Sequence, residues 1–361
     1  MTGRRVRPGR PQRRQAARGG RAQQPTVHDV SQLAGVSRMT VSRVIRGQGA
    51  VLPATRERVR KAIAQLGYVP DRAAGSLASR RTGFVALMLP TLVNANFAAV
   101  AHGITDALRP ADYQLLIAYT NYSVSEEAHQ LGKLLARRPE ALILTGALRS
   151  PAASRMLRSA GIPVIEIADL PRNPIEHAVG FSNYEAGRVA ARYLMARGFQ
   201  RIGAIASLPA GDVIDHRGEA RMQGFEDELG RCGRPVSAVL RRGHAPVGYD
   251  HGRDIAPRVL EQRLDAVFAV SDLSAVGLVM ECQRRGVRVP DDLSVMGFGD
   301  FDIGREVNPP LTTVHVDFRA LGKQTGLLIR ELLRADPHAP ARIIDVGLRV
   351  VERGSVGRPA G

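Results

Sequence analysis

Tryptophan is absent from this 361-residue chain, and aromatic residues make up 4% of it. Proteins that bind single strands or RNA by stacking need several exposed rings, so that class is disfavoured. There are two cysteines, Cys232 and Cys282, far apart in sequence and without a C-x-x-C or His-rich neighbour. They read as incidental thiols of a reducing compartment, not as a disulfide or metal pair. No stretch approaches the roughly 18 apolar residues of a spanning helix, and the first residues carry no apolar signal-type run. A cytoplasmic protein with no membrane partner is therefore expected. Catalytic signatures are missing as well: there is no G-x-x-x-x-G-K-[ST], no G-x-G-x-x-G after the first strand, no G-x-S-x-G and no H-E-x-x-H. His102, His129, His177, His216, His244, His251 and His315 are scattered without ligand spacing, and Asp291–Asp292 follow Pro290 as turn and cap residues. The expectation is a binding protein with no metal and no cofactor, not an enzyme.

Acid is scarce where base is dense. Of the 51 Lys and Arg residues, 18 lie in the first 81 positions against three acids, Asp29, Glu57 and Asp71, so this segment carries +15 of the formal +17. Such an asymmetry is the electrostatic footprint of a polyanion-binding head on a near-neutral body. Residues 1–24 hold eight arginines, no acid and two prolines, which reads as a disordered cationic tail and not as a transit peptide. The chain as a whole, at 44% hydrophobic and 24% charged residues, has ordinary globular composition and is long enough for two or three domains.

After the tail, Thr26 is a good N-cap for a helix in which Val27, Val30, Leu33 and Ala34 are apolar at helical spacing. Gly35 supplies a tight turn, Val36 packs inward, and Ser37 caps a second helix with Val41, Val44 and Ile45 on its inner side. That leaves Arg38, Met39, Ser42, Arg43 and Arg46 outside. Pro53 and Thr55 precede a third helix whose Val59, Ile63 and Leu66 complete the core. A short helix, a glycine turn and a second helix with a basic outer face form a helix-turn-helix unit.

The string from Thr26 to Pro70, with D-V-x-x-x-A-G-V-S-x-x-T-V-S-R-V and L-G-Y-x-P, resembles the DNA-binding domain of the LacI/GalR family of bacterial repressors. The resemblance implies a lambda-repressor-like all-α head on double-stranded DNA. It places base reading on Arg38, Met39 and Arg43, where arginine can bond guanine O6 and N7 in parallel and methionine can offer only apolar contact. Ser37, Thr40, Ser42 and Thr55 are then phosphate-side residues, which position without reading sequence, and Thr26 is a further DNA-binding residue. Residues 71–82 resemble the family's hinge helix, with Ala74, Leu77 and Ala78 toward the minor groove and Leu77 as the wedge between base pairs. Asp71 stands where Asn is frequent and Gly75 lies inside the hinge. A hinge that forms only on DNA is the expectation.

From Phe84 onward, apolar strand-like runs (FVALMLP, YQLLIAYT, EALILTGA, IPVIEIAD, then RIGAIAS, LDAVFAVS, LSVMGFGD) alternate with amphipathic helices. That alternation predicts parallel sheets covered on both faces, in two doubly wound lobes with a ligand cleft at the strand ends. The body resembles the periplasmic-binding-protein-like sensor of the same family, and its strings GIPVIEIAD, AVGFSNYEA, ECQRRGVRVPDDLSVMGF and FDIG are most similar to the gluconate-utilisation branch. Expected boundaries are 25–70 for the head, 71–82 for the hinge and 83–353 for the body. Within the body, lobe 1 is about 83–181 and 311–338, lobe 2 about 182–308 and 341–353, followed by a tail at 354–361.

Carried over by position, the effector residues are Pro90, Thr91, Asn96 and Phe97, then Glu166 and Asp169, then Phe181, Arg217, Arg221, Ser271, Asp272 and Asp300. Arg221, in R-x-x-G-F, is placed to clamp a carboxylate. Where sugar repressors of the family commonly carry Asp, this chain has Gly299, which favours an anionic effector such as a sugar acid. No leucine heptad follows the last helix, so a homodimer on a pseudo-palindromic operator is expected, not a coiled-coil tetramer. The resemblance thus implies a ligand-controlled repressor. Alternatives are a neutral sugar, nucleobase or protein co-regulator as effector, and, more remotely, a solute-binding protein without regulation.

Overall fold

The computed structural model describes residues 24–70, 82–146, 150–334 and 340–359. They divide into two units, one up to Arg80 and the other from Arg81 onward.

The first unit holds helices α1 (Val27–Ala34), α2 (Arg38–Arg46) and α3 (Pro53–Leu66). Thr26 and Asp29 close α1 with a reciprocal capping box: the Asp29 carboxylate accepts from the Thr26 amide at 2.7 Å, and the Thr26 hydroxyl accepts from the Asp29 amide at 3.4 Å. Gly35 ends the helix in the left-handed region at φ 61°, a conformation that costs glycine little. Two residues later Ser37 caps α2 by accepting from the Thr40 amide at 3.2 Å. Proline suits the first helical position, having no amide to leave unpaired, so α3 begins at Pro53 and Thr55 stands inside its first turn. Val30, Ala34, Val41, Val59 and Ala62 form the core. Leu33, expected inside, is 46% exposed. The inward stripe of α1 runs through 30 and 34, and buried Ser31 takes the adjoining place by donating to the His28 carbonyl.

The second unit contains two six-stranded sheets. The first has the order β11-β5-β4-β3-β1-β2, from β1 (Phe84–Leu89), β2 (Gln114–Tyr119), β3 (Ala141–Thr145), β4 (Val164–Ile167), β5 (His177–Gly180) and β11 (Ile343–Asp345). The second has the order β12-β10-β9-β8-β6-β7, from β6 (Ile202–Ala206), β7 (Ala238–Arg241), β8 (Ala266–Ala269), β9 (Ser294–Phe298), β10 (Thr312–His315) and β12 (Arg349–Val351). Among the described strands of these sheets, only β12, on β10, pairs antiparallel. The inner strands are buried along their length, as in β1 from Val85 to Leu89, because helices cover both faces. Those helices are α4 (Ala95–Leu108), α5 (Val124–Ala136), α6 (Pro151–Arg158), α7 (Asn183–Ala196), α8 (His216–Arg231), α9 (Tyr249–Glu261), α10 (Asp272–Arg284), the short α11 (Ile303–Glu306) and α12 (Phe318–Leu332).

The chain crosses between lobes three times: after β5, after β10 and between β11 and β12. These crossings correct the expected boundaries. Residues 312–315 belong to the second sheet, and only the following helix α12 returns to lobe 1, against α4. The segment 341–353, expected in lobe 2, is divided: β11 joins the first sheet and β12 the second. Nor are residues 354–359 a tail. Ser355 is fully buried, accepts from the Thr312 amide and donates to the Val295 carbonyl, and Val356 enters the core. The serine hydroxyl satisfies backbone groups of β9 and β10, which fastens the segment to lobe 2.

Helices α7 and α8 touch backbone to backbone. A Cβ at Gly187 would lie 1.9 Å from the Arg221 carbonyl oxygen, and one at Gly224 would lie 1.9 Å from that of Tyr184. This reciprocal approach fixes where α8 carries its arginines. Cys232 is exposed, whereas Cys282 is buried and burial pushes its thiol up to about 11.

Candidate nucleic-acid interface and ligand cleft

On the head, α2 turns Val41 inward, fully buried, and leaves Arg38, Arg43 and Arg46 exposed, with Met39 64% exposed beside them. Arg38 donates from Nε to His28 at 3.4 Å, an exposed contact that leaves its terminal nitrogens available. Arg46 bonds the Ser42 hydroxyl at 2.8 Å, which directs it back along the helix. Ser37 and Thr40 share a hydrogen bond at 3.0 Å, the Thr26 hydroxyl serves Asp29, and Thr55 accepts from Arg58 at 3.5 Å. α2 therefore presents a cationic, hydroxyl-edged face of a width suited to the major groove. The cationic tail and the hinge, with Ala74, Leu77 and Ala78, lie outside the described residues apart from Gln24 and Thr82.

In the body, the lobes face each other across a cleft of about 610 Å³, part of it open to solvent, within the usual range for a small-ligand site. Its floor is aromatic: Phe181, in the first crossing, stands 5.8 Å from Phe298 and 5.9 Å from Phe318. Arg221 projects from α8 into this floor. Its Nε donates to the Val270 carbonyl at 3.0 Å and one terminal nitrogen to the Asn183 side chain at 2.5 Å. The other lies 3.9 Å from the Asp215 carboxylate, and the guanidinium rests 4.1 Å above the Phe298 ring. Burial is the largest influence on Arg221 and lowers its pKa, with Asp215 opposing. Arg217, one turn earlier, reaches across the cleft. It donates to the Thr145 carbonyl at the end of β3 at 3.1 Å and packs against the rings of Phe97 and Tyr122. Burial, then the Asp215 charge, pushes the Tyr122 hydroxyl up to about 12, so it is a neutral donor at ordinary pH. Asp215 is the one carboxylate lining this cleft among the described residues, against two guanidinium groups.

The lobes also join by hydrogen bonds. Asn96 of lobe 1 donates to the Gly299 carbonyl of lobe 2 at 2.9 Å. At the segment after β2, the Tyr122 carbonyl accepts from the Ile214 amide at 3.1 Å and the Val124 amide donates to the Asp212 carbonyl at 3.1 Å. The Asp212 carboxylate accepts from the Ser123 hydroxyl at 2.7 Å, the Ser125 hydroxyl at 2.6 Å and the Ser125 amide at 3.1 Å. Those bonds, Ser125 first, hold its carboxyl at about 2.

Of the expected effector residues, Thr91, Asn96, Phe97, Phe181, Arg217, Arg221 and Ser271 line this cleft. Pro90 and Asp169 line an adjoining cavity, with Arg217 and Tyr122 forming the partition. Three expected acids stand outside the lining of the cleft. Asp272 is fully buried behind the cleft, where it accepts from the Thr313 hydroxyl at 2.6 Å and the Phe301 amide at 2.9 Å; burial pushes it up to about 7. Asp300 accepts from Arg353 at 2.5 Å, His315 at 2.8 Å and Arg305 at 3.2 Å. Burial raises its pKa, but those bonds outweigh it and leave the carboxyl below its ordinary value. Glu166, 1% exposed, accepts from the Ile175 amide at 2.7 Å, and burial raises its pKa. All three carboxylates satisfy groups of their own lobe. Gly299 has a local cause of its own. Its φ is 121°, and a Cβ there would lie 2.6 Å from the Phe301 ring and 2.9 Å from the Asn96 amide. Packing dictates that glycine, and it carries no information about ligand charge.

Sequence reasoning missed Tyr122, Asn183, Asp215 and Phe298. Asn183 and Asp215 look like ordinary residues at helix starts, and Tyr122 sits in a left-handed turn at φ 64° that no local pattern announces. Among the described residues, no group of three His, Cys, Asp or Glu is placed to hold a metal ion. No described helix is long and apolar enough to cross a membrane.

Comparison with known proteins agrees with this geometry. Residues 26–71 match bacterial regulatory proteins of the lacI family, and residues 191–356 match a periplasmic binding protein-like domain. The chain is 31% identical over 335 residues to the HTH-type transcriptional regulator GntR of Escherichia coli K12, covering 92% of this chain and 98% of that one. A crystal structure of a LacI-family regulator from Silicibacter pomeroyi superposes with a TM-score of 0.84 at 32% identity, covering 92% and 99% of the two chains. A CelR–cellobiose complex superposes with a TM-score of 0.64 at 30% identity, covering 92% and 99%. With an α2 face built for DNA and a two-lobed body matched over nearly its whole length, this chain belongs to the lacI family of bacterial regulatory proteins, as a DNA-binding transcriptional regulator and not an enzyme.

Proposed function

We propose that the protein is a homodimeric repressor on a pseudo-palindromic operator, released by a small sugar acid, gluconate or a related aldonate, held between the lobes. The observation that carries this reading is the convergence of Arg217 and Arg221 on a cleft with one lining carboxylate, Asp215. A guanidinium fork suits a carboxylate, and Asn183, Ser271 and Thr91 supply partners for hydroxyl groups around it. The likeness of the sequence to the gluconate-utilisation branch supports the same class. A neutral sugar is the second reading, favoured by the Phe181–Phe298–Phe318 floor and by the cellobiose bound in the CelR structure. Calorimetric titration with D-gluconate, cellobiose and purine bases separates them: gluconate heat alone fits the first reading and cellobiose heat alone the second. No heat from any of them would point to a protein co-regulator.

On the DNA side, Arg38 and Arg43 read bases and the hydroxyl residues beside them hold phosphates. Arg38→Ala is expected to relax preference at one position of each half-site, a loss of about 1–3 kcal/mol against the wrong base. Binding-site selection with both proteins checks this. Uniform weakening on all sequences would make Arg38 a phosphate contact.

A further inference from the structure

The strand orders place the three interlobe crossings beside β5, β11, β10 and β12, at one edge of each sheet, whereas β2 and β7 form the opposite edges. Asp212 lies on the β6–α8 connection at that far side and reaches the segment that follows β2. Its carboxylate takes three hydrogen bonds from Ser123 and Ser125 at the first turn of α5, and the adjoining backbone forms a bridge between Ser123 and Val213. We propose that Asp212 is a positioning residue for the ligand cleft: a clasp that holds the lobes together opposite their crossings and thereby fixes Tyr122 against Arg217.

The coupling to the cleft is short. Tyr122 immediately precedes the clasped Ser123, and its own carbonyl is held by Ile214, two residues from Asp212. Its backbone is in the left-handed region at φ 64°, after Asn121 at φ 50°. An aromatic residue seldom adopts that conformation unless its surroundings impose it. With the turn fixed, the Tyr122 ring lies 5.8 Å from the Arg217 guanidinium, which also holds Thr145 of lobe 1. Losing the clasp frees the turn, and with it the partition between the main cleft and the adjoining cavity. The clasp touches none of the groups assigned to ligand recognition, so its effect belongs mainly to ligand release.

That consequence for ligand rests on the effector reading, so the test includes one measurement that needs no ligand. Cys232 is exposed on lobe 2 and Cys282 is buried; with Arg137→Cys as a second label site on exposed lobe 1 surface, spin labels report the interlobe distance in the full chain, diluted with unlabelled protein. One narrow distance is expected with Asp212 present, and a longer, broader distribution with Asp212→Ala or Ser125→Ala. With D-gluconate as the probe, Asp212→Ala is expected to release ligand about three- to tenfold faster, as for a charge-assisted contact discounted for exposure, while the thermal midpoint stays near that of the parent. An interlobe distribution unchanged by both substitutions overturns the clasp. Absence of gluconate binding by the parent protein overturns the effector reading and leaves the distance result to judge the clasp.

Discussion

Arg221→Ala is expected to weaken gluconate binding by roughly 30- to 1000-fold, about 2–4 kcal/mol, while DNA binding survives. Truncating one member of a buried, hydrogen-bonded charged group costs about that much, since its partners are left behind. Arg221 is 7% exposed and serves the Val270 carbonyl and Asn183 at once, with Asp215 3.9 Å away. Alanine leaves the Asn183 oxygen without its donor and Asp215 without its nearest cation among the described groups, and it removes the planar group stacked on Phe298. Arg221→Lys keeps the charge but loses the fork, so it is expected to recover only part of the affinity. Calorimetry measures the loss, and anisotropy of labelled operator checks that the head still binds. Alanine binding gluconate as tightly as the parent would place the ligand elsewhere.

Gly187→Ala is expected to destabilise the body by about 1–2 kcal/mol and to weaken the ligand site with it. The added carbon would meet a backbone oxygen at 1.9 Å, which no side-chain rotation can relieve, so α7 and α8 must separate. Overpacking of this kind costs about 1–3 kcal/mol and at times more, partly offset by the better helix propensity of alanine, about 1 kcal/mol. Because α8 carries Arg217 and Arg221, the separation displaces both from the cleft. Gly132 provides the control: it lies inside α5 with nothing within 4 Å of its added carbon, so Gly132→Ala is expected to be neutral or stabilising by up to about 1 kcal/mol. Urea unfolding of the three proteins, with gluconate titrations of each, compares them. Equal stability of both variants would contradict the backbone-contact account.

The head was legible in the sequence because each of its devices is local. Thr26 with Asp29, Gly35 and Ser37 announce helix ends within a few residues, and only Leu33 at the edge of its stripe and the start of α3 were misplaced. The alternation of strands and helices in the body was equally plain. Three things were not. A short strand such as β11 carries no mark of the sheet it joins, so the third crossing was invisible. Asp272, Asp300 and Glu166 occupy the places after or within strands where ligand-binding acids occur, yet a sequence position does not say toward which neighbour a carboxylate turns. Here the nearest donors were Thr313, Arg353 and Ile175. Tyr122, Asn183 and Asp215 matter only because two lobes meet, and residues nearly a hundred positions apart in sequence share no local pattern. Arg221 was recognisable because it sits within a string, R-x-x-G-F, whose glycine also sets the helix contact.

The most direct test of the account is one titration: affinity for a selected operator, followed by anisotropy at fixed salt, as D-gluconate is raised over the parent protein and over Arg221→Ala. Operator affinity is expected to fall about 5- to 150-fold for the parent, the range of an ordinary allosteric coupling, and to stay flat for the variant over the gluconate range that saturates the parent. Operator affinity unchanged by gluconate in the parent, or an equal fall in both proteins, would contradict it.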